Sequence, residues 1–151
     1  MIRVRIIIVG KVSKWTQDAF SHYEKLIKRF ARIELIKLST GGDLNKESFE
    51  IIRNKEGKKI LDKILGTPVC LDLKGKDLST EEFSRFIKDL TFDNVTFIIG
   101  GPTGLSQEVL EKCRYKISLS KLTLSHEIAL VVFLEQLFRA FKIINDEKYN
   151  Y

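Results

Sequence analysis

The sequence predicts a single α/β domain, a three-layer α/β/α sandwich whose central sheet is mainly parallel. Strand-like runs alternate with helix-periodic segments from one end of the chain to the other, the pattern of repeated strand–helix crossovers. The runs Val4–Val9 and Val95–Ile99 are almost wholly aliphatic or aromatic and each ends at a glycine, as strands buried on both faces do. No repeat, low-complexity tract or linker divides the 151 residues, a length suited to one domain with a substantial core.

Taken in order, Val4–Val9 is the first strand, closed by Gly10. Trp15, Ala19, Phe20, Tyr23, Leu26, Ile27 and Phe30 then recur at spacings of mostly three and four, which predicts an amphipathic helix over 15–30. Ile33–Leu38 largely alternates apolar with charged residues, a strand with one face toward water. Gly41, Gly42 and Asp43 mark a loop. A second helix over 47–65 turns Phe49, Ile52, Ile60, Leu61 and Ile64 inward and most of its lysines outward. Pro68–Leu73 is a third strand, with Gly75 as the turn that follows it. Ser79 and Glu82 stand at the spacing of a capping box and open a helix to about Leu90. After the strand Val95–Ile99 come a helix near 106–112, a short strand over 115–119, and a long helix from about His126 to Asn145.

That last helix is apolar around most of its circumference, with Glu135, Arg139, Lys142 and Asp146 leaving a narrow polar stripe. One sheet face covers about half of such a helix, so a second subunit is expected to cover the rest. The net charge of +6 is uneven: residues 1–66 hold 15 Lys and Arg against 8 Asp and Glu, whereas 67–151 hold 11 against 12. A basic half is the imprint of a polyanion-binding face, or of a lysine-rich solvated surface. No run approaches the roughly 20 apolar residues of a membrane span, and Ile2–Val9 is too short and too basic for a signal peptide. Cys70 and Cys113 have no metal-ligand spacing and read as free buried thiols of a reducing cytoplasm.

Loops at Gly10, Leu71–Gly75, Gly100–Gly104 and Leu119–Ser125 all follow strands, and a parallel sheet binds ligands beyond those ends. Ile99-Gly-Gly-Pro-Thr-Gly104 matches neither dinucleotide nor P-loop spacing. With only His22 and His126 in the chain, no zinc set forms, and there is no nucleophile elbow. What remains is a site of backbone amides and carbonyls with few titrating groups, suited to a cofactor that carries its own reactivity.

Gly10-Lys11, Asn54-Lys-Glu-Gly57, Leu71-Asp-Leu-Lys-Gly75, Ile98-Ile-Gly-Gly-Pro-Thr-Gly-Leu105, Leu119-Ser-Lys-Leu-Thr-Leu-Ser-His126, Glu135-Gln-Leu-Phe-Arg-Ala140 and Tyr149 occur in this order. In that set the chain resembles the ribosomal RNA large subunit methyltransferase H family of the SPOUT superfamily, over essentially its whole length. The resemblance implies one SPOUT domain over 1–151 with a C-terminal trefoil knot that binds the cofactor within about 95–145. It implies a cytoplasmic homodimer that takes S-adenosyl-L-methionine as methyl donor. The reaction implied is methylation of N3 of a pseudouridine in the helix 69 loop of 23S rRNA, within the 50S subunit or 70S ribosome, with no DNA or membrane partner.

By position, the family's cofactor contacts fall on Leu71, Gly100, Leu119, Ser120, Lys121, Leu122, Thr123 and Leu124. His126, Arg139 and Tyr149 would line the target base, and Lys25, Lys28, Arg29, Lys55, Lys58 and Lys59 would meet RNA phosphates. The chain departs from the family pattern at Ser125, Leu130 and Asn150, where Pro, Arg and His are usual. Two alternatives therefore stay open: a SPOUT-fold RNA-binding protein with impaired catalysis, and a methyltransferase with a different RNA target.

Overall fold

The computed structural model describes residues 2–90 and 94–148. Its elements are β1 (Ile2–Val9), α1 (Lys14–Ile27), β2 (Ala31–Leu38), α2 (Phe49–Lys63), β3 (Thr67–Asp77), α3 (Thr80–Leu90), β4 (Val95–Ile99), α4 (Gln107–Lys112), β5 (Tyr115–Ser118) and α5 (His126–Ile144). The strands form one sheet in the order β2-β1-β4-β3-β5, with every pairing parallel. This is the predicted α/β architecture. A serine stands immediately before each helix, the residue type that best satisfies the unpaired amides of a first turn. The hydroxyls of Ser48, Ser79, Ser106 and Ser125 accept N–H bonds from Ile51, Glu82, Val109 and Ile128. Glu82 returns the favour to the Ser79 amide at 2.9 Å, completing the capping box read from the sequence. Ser13 is the exception, and its hydroxyl goes elsewhere.

Side chains alternate across the sheet. Val4, Ile6, Ile8, Val69, Phe97 and Ile99 pack against α1, α3 and α5, while Ile7, Val9, Cys70 and Ile98 face α2 and α4. At the centre of the larger core, Phe97 of β4 and Phe133 of α5 lie 4.6 Å apart between ring centroids.

Four expectations are corrected. Cys70 and Cys113 are not free thiols but form a disulfide with Cα atoms 5.9 Å apart. The crossover from β4 returns the end of α4 to β3, where the Arg114 amide donates to the Pro68 carbonyl, and a sequence separation of 43 carries no sign of that proximity. Gly75 is not a turn. It lies within β3, which continues to Asp77 through an irregularity between Leu71 and Lys76. A Cβ at Gly75 would come within 2.7 Å of the Ile117 backbone, so the glycine allows the bulged strand to stay against β5. Phe49 is about half exposed at 53%, because it starts α2 one turn beyond the buried Ile52. Finally, α5 is covered more fully than one sheet face allows: it contacts both α1 and α3. Leu130, Phe133, Leu134, Leu137, Ala140 and Phe141 are buried, leaving a stripe with Ile128, Val131, Val132, Phe138 and Ile143 wholly or partly open. Among the described residues no helix is long and apolar enough to cross a membrane.

Candidate active site

Four strand ends build the site. β4 runs into a tight hairpin at Gly100–Gly104, closed by an antiparallel bridge between Gly101 and Gly104 and by the Gly104 amide on the Gly101 carbonyl at 3.0 Å. Gly104 has φ +83°, a conformation that side chains with a Cβ rarely adopt. Gly100 is hemmed in: a Cβ there would sit 2.9 Å from the Leu105 side chain. Facing this hairpin, the segment after β5 is folded on itself, with the Ser118 hydroxyl donating to the Ser120 carbonyl and the Leu122 amide donating to Ser120 Oγ.

Between them lies a cleft of about 430 Å³ lined by Leu71–Leu73, Ile99–Pro102, Gly104, Leu105, Thr123–His126 and Ala129. A smaller pocket of about 100 Å³ adjoins it, sharing Leu71–Leu73, Thr123, Leu124 and Ala129 and adding Leu119, Ser120 and Leu122. Of the sequence-predicted cofactor residues, Leu71, Gly100, Thr123 and Leu124 therefore line the cleft and Leu119, Ser120 and Leu122 its extension. Lys121 lines neither and is exposed.

The lining suits S-adenosylmethionine in both size and chemistry. The volume falls within the range of small-molecule sites, roughly 300–1,000 Å³. Leucine side chains offer apolar walls for a purine, main-chain groups of the loops can meet its edge, and Asp72 supplies a carboxylate for ribose hydroxyls or a cationic group. Among the described residues no cluster of His, Cys, Asp and Glu could hold a metal ion.

His126 opens α5 at the cleft wall. Its ring lies against Gly10, so that a Cβ there would be 2.9 Å from Nε2, and its Nε2 contacts the Lys11 carbonyl at 2.6 Å. Glu127 reaches the same loop, accepting from the Ser13 amide at 2.9 Å, the Ser13 hydroxyl at 3.0 Å and the Thr16 hydroxyl. The Thr16 hydroxyl, then the Ser13 amide, hold the Glu127 carboxyl below its ordinary range. Sequence reasoning placed Gly10 and Asp72 in strand-end loops of the site without a role for either, and missed Glu127. It also missed Glu56, a buried carboxylate on α2 that accepts from the Gly41 amide and lies 3.6 Å from where a Gly101 Cβ would be. The motif Asn54-Lys-Glu-Gly57 was its one trace in the sequence.

Arg139 is not beside His126. It lies thirteen residues along α5, about 20 Å away at 1.5 Å per residue, and is ion-paired with Glu135 at 2.5 Å. Burial, then the Glu135 carboxylate, pushes the neighbouring Tyr23 phenol above its ordinary value. Tyr149 and Asn150 lie outside the described residues. Leu130 is fully buried in the core rather than facing the cleft.

The basic residues fall into two groups on opposite faces of the sheet. Lys25, Lys28 and Arg29 sit at the end of α1, by the edge where β2 begins and away from the cleft, with Arg29 paired to Glu147 at 2.8 Å. Lys55, Lys58 and Lys59 are exposed on α2, with Lys55 paired to Glu47 and Lys59 bonded to Ser39.

Residues 2–150 match the family described as "Predicted SPOUT methyltransferase". The chain is 45% identical over 152 residues to a ribosomal RNA large subunit methyltransferase H of Thermosipho melanesiensis, covering 99% of this chain and all of that protein. It is 38% identical over 154 residues to the protein of that name from Thermotoga maritima, covering 99% and 100%. The protein of the same name from Clostridium perfringens strain 13 is 37% identical over 158 residues, covering 99% of each.

Proposed function

The chain belongs to the SPOUT methyltransferase family, and from that premise we propose that it is an S-adenosylmethionine-dependent methyltransferase of large-subunit ribosomal RNA. The reaction is methylation of N3 of a pseudouridine in the helix 69 loop of 23S rRNA. The full-length similarity to curated large-subunit methyltransferases H carries this reading, and the cleft at the strand ends supports it. The cofactor supplies an electrophilic methyl group. Leu71, Gly100, Thr123 and Leu124 form its walls, with Leu119, Ser120 and Leu122 in the extension and Lys121 at the rim. Positioning of the two reactants then accounts for most of the acceleration.

The working unit is a homodimer packed along the open stripe of α5, where Ile128, Val131, Val132 and Phe138 stand beside the Glu135–Arg139 pair. A second copy is also what brings Arg139 to a cleft, since Arg139 stands far along α5 from the cleft of its own chain, and Tyr149 is assigned to the target base with it. The knotted crossing within about 95–145 belongs to the same proposal. Lys55, Lys58 and Lys59 on one face, and Lys25, Lys28 and Arg29 on the other, meet RNA phosphates on two surfaces of the assembly. The protein acts in the cytoplasm, where its ribosomal substrate is.

Burial of Leu130 in the core leaves the impaired-catalysis reading with less support, because position 130 does not line the cleft of this chain and its leucine removes no group from the cleft wall. Labelled S-adenosylmethionine incubated with 50S subunits or 70S ribosomes from a strain lacking the modification tests the function. Incorporation at a helix 69 pseudouridine is expected. Cofactor binding without incorporation would remove the catalytic claim, and incorporation elsewhere in the RNA would replace the target.

A further inference from the structure

We infer that His126 is the general base for the transfer, through Nδ1, and that Glu127, Ser13 and Thr16 are positioning residues that hold it in the tautomer this requires. This inference rests on the methyltransferase reading above.

The tautomer follows from the contact at Nε2. A carbonyl oxygen only accepts, so at 2.6 Å from the Lys11 carbonyl Nε2 carries the proton. In the neutral ring Nδ1 then holds the lone pair. The ring cannot slide away from this partner on the side of β1, because it occupies the space a side chain would fill at Gly10, which has φ +116°. Gly10 and Lys11 thus form a socket for the imidazole: one supplies room, the other the acceptor.

The next residue fixes the socket to the helix that carries the ring. Glu127 takes the Ser13 amide, the Ser13 hydroxyl and the Thr16 hydroxyl, and Thr16 is fully buried. This explains why Ser13, alone among the serines that precede helices here, does not cap its own helix with its side chain. Its hydroxyl is turned to Glu127, and the carboxylate takes over the free amide at the start of α1, a site where negative charge is favoured. Adjacent residues of α5 therefore grip adjacent parts of one loop, His126 at Lys11 and Glu127 at Ser13. The Lys11 carbonyl is held where the imidazole needs it.

The chemistry requires such a group. N3 of the target base is protonated, and its lone pair is available for the methyl carbon only as the N3–H proton leaves. Among the residues lining the cleft, Asp72 carries the one carboxylate and His126 the one imidazole, and a neutral imidazole offers one ring nitrogen as acceptor while the other donates. The proton passes from N3 to Nδ1, the N3–H bond breaks as Nδ1–H forms, and the ring becomes an imidazolium with both nitrogens protonated. The Lys11 carbonyl continues to accept from Nε2, now in a charge-assisted bond that is stronger than before. A backbone carbonyl thus does for this histidine what a carboxylate does in a catalytic triad.

The first test needs no substrate. In 15N-labelled protein, His126 Nε2 should show the shift of a protonated ring nitrogen and Nδ1 that of an unprotonated one. The reverse assignment overturns the proposal. Glu127→Ala should give mixed tautomers, and Glu127→Gln, which keeps an acceptor oxygen for Thr16 and Ser13, should restore the single form. An unchanged tautomer in Glu127→Ala removes the positioning role.

The second test is single-turnover methylation of ribosomes. His126→Gln places an amide N–H where Nε2 bonds the Lys11 carbonyl but cannot take a proton, and it should slow transfer by roughly 10²–10⁴-fold with cofactor affinity held within about twofold, the signature of an interaction made only in the transition state. An active wild type with an unimpaired His126→Gln overturns the base assignment alone. A wild type that binds cofactor and methylates no ribosome overturns the function, and the base assignment with it.

Discussion

On one face of the sheet α1, α3 and α5 bury twenty of the described apolar residues in a continuous core, whereas α2 and α4 cover the other face with a cluster of eight. The thick face holds the aromatic cluster of Phe83, Phe97 and Phe133, and the thin face holds the Cys70–Cys113 bond. The cleft lies at the boundary between them. Its hairpin leaves β4 and hands the chain directly to α4, while its opposite wall is the start of α5. The thick face thus supplies the stability, and the thin face sets where the glycine hairpin sits. A test of that division should find stability lost on the first face and cofactor affinity lost on the second.

The largest effect is expected from the thick face. Phe133 is fully buried between the sheet and α3, and Phe133→Ala should cost about 3–5 kcal/mol, read as a lower urea midpoint. Next comes the disulfide. Reduction, or Cys113→Ser, should cost about 2–4 kcal/mol by freeing the unfolded chain, and it should loosen Leu71, the cleft residue next to Cys70. A loss on reduction greater than that of Phe133→Ala would reverse the assignment of the two faces.

A finer test lies at Gly57, where α2 meets α4. A Cβ there would come within 2.4 Å of Ser106 Oγ, the oxygen that caps α4 by accepting from Val109 at 3.2 Å. Gly57→Ala gains up to about 1 kcal/mol in helix propensity and loses about 1–3 kcal/mol to overpacking. The net change in melting temperature should be a small decrease. Cofactor affinity should fall further than that decrease explains, because Ser106 directly follows the cleft residue Leu105. Equal cofactor binding in the variant would show that the hairpin does not depend on the seat of α4.

How far the sequence reveals these regions differs in the same way. Largely apolar runs in Val4–Val9 and Val95–Ile99, and the capping box at Ser79, show the two central strands and α3 with nearly correct ends, since apolar runs and capping are local signals. The disulfide and the bulge at Gly75 are products of the parallel crossovers, which bring together residues that no short-range pattern links. Within the site, the glycines and the loop 119–124 were visible from composition and family resemblance. Glu127 was not: a glutamate in the first turn of a helix is ordinary, and its bonds to Ser13 and Thr16 span more than a hundred residues.

The smallest effect concerns pH, and it again separates the faces. Glu82, Glu127 and Glu147 all lie on or just beyond thick-face helices, and all are held below the ordinary carboxylate value. The Ser79 amide does this for Glu82, the Thr16 hydroxyl for Glu127 and the Arg29 guanidinium for Glu147. Because the folded values are the lower ones, the unfolded chain binds these protons first. Their stabilisation is present above the unfolded value of 4.5 and is lost as pH falls through the folded values. Melting temperature should therefore drop below pH 4.5, and Glu127→Gln should flatten part of that drop while lowering stability at neutral pH. The loss at neutral pH follows because a neutral amide replaces a carboxylate at the start of α1. An acid slope unchanged in Glu127→Gln would mean that Glu127 is not held below its ordinary value, and the clamp between α5 and the Gly10–Ser13 loop would then owe its strength to His126 alone.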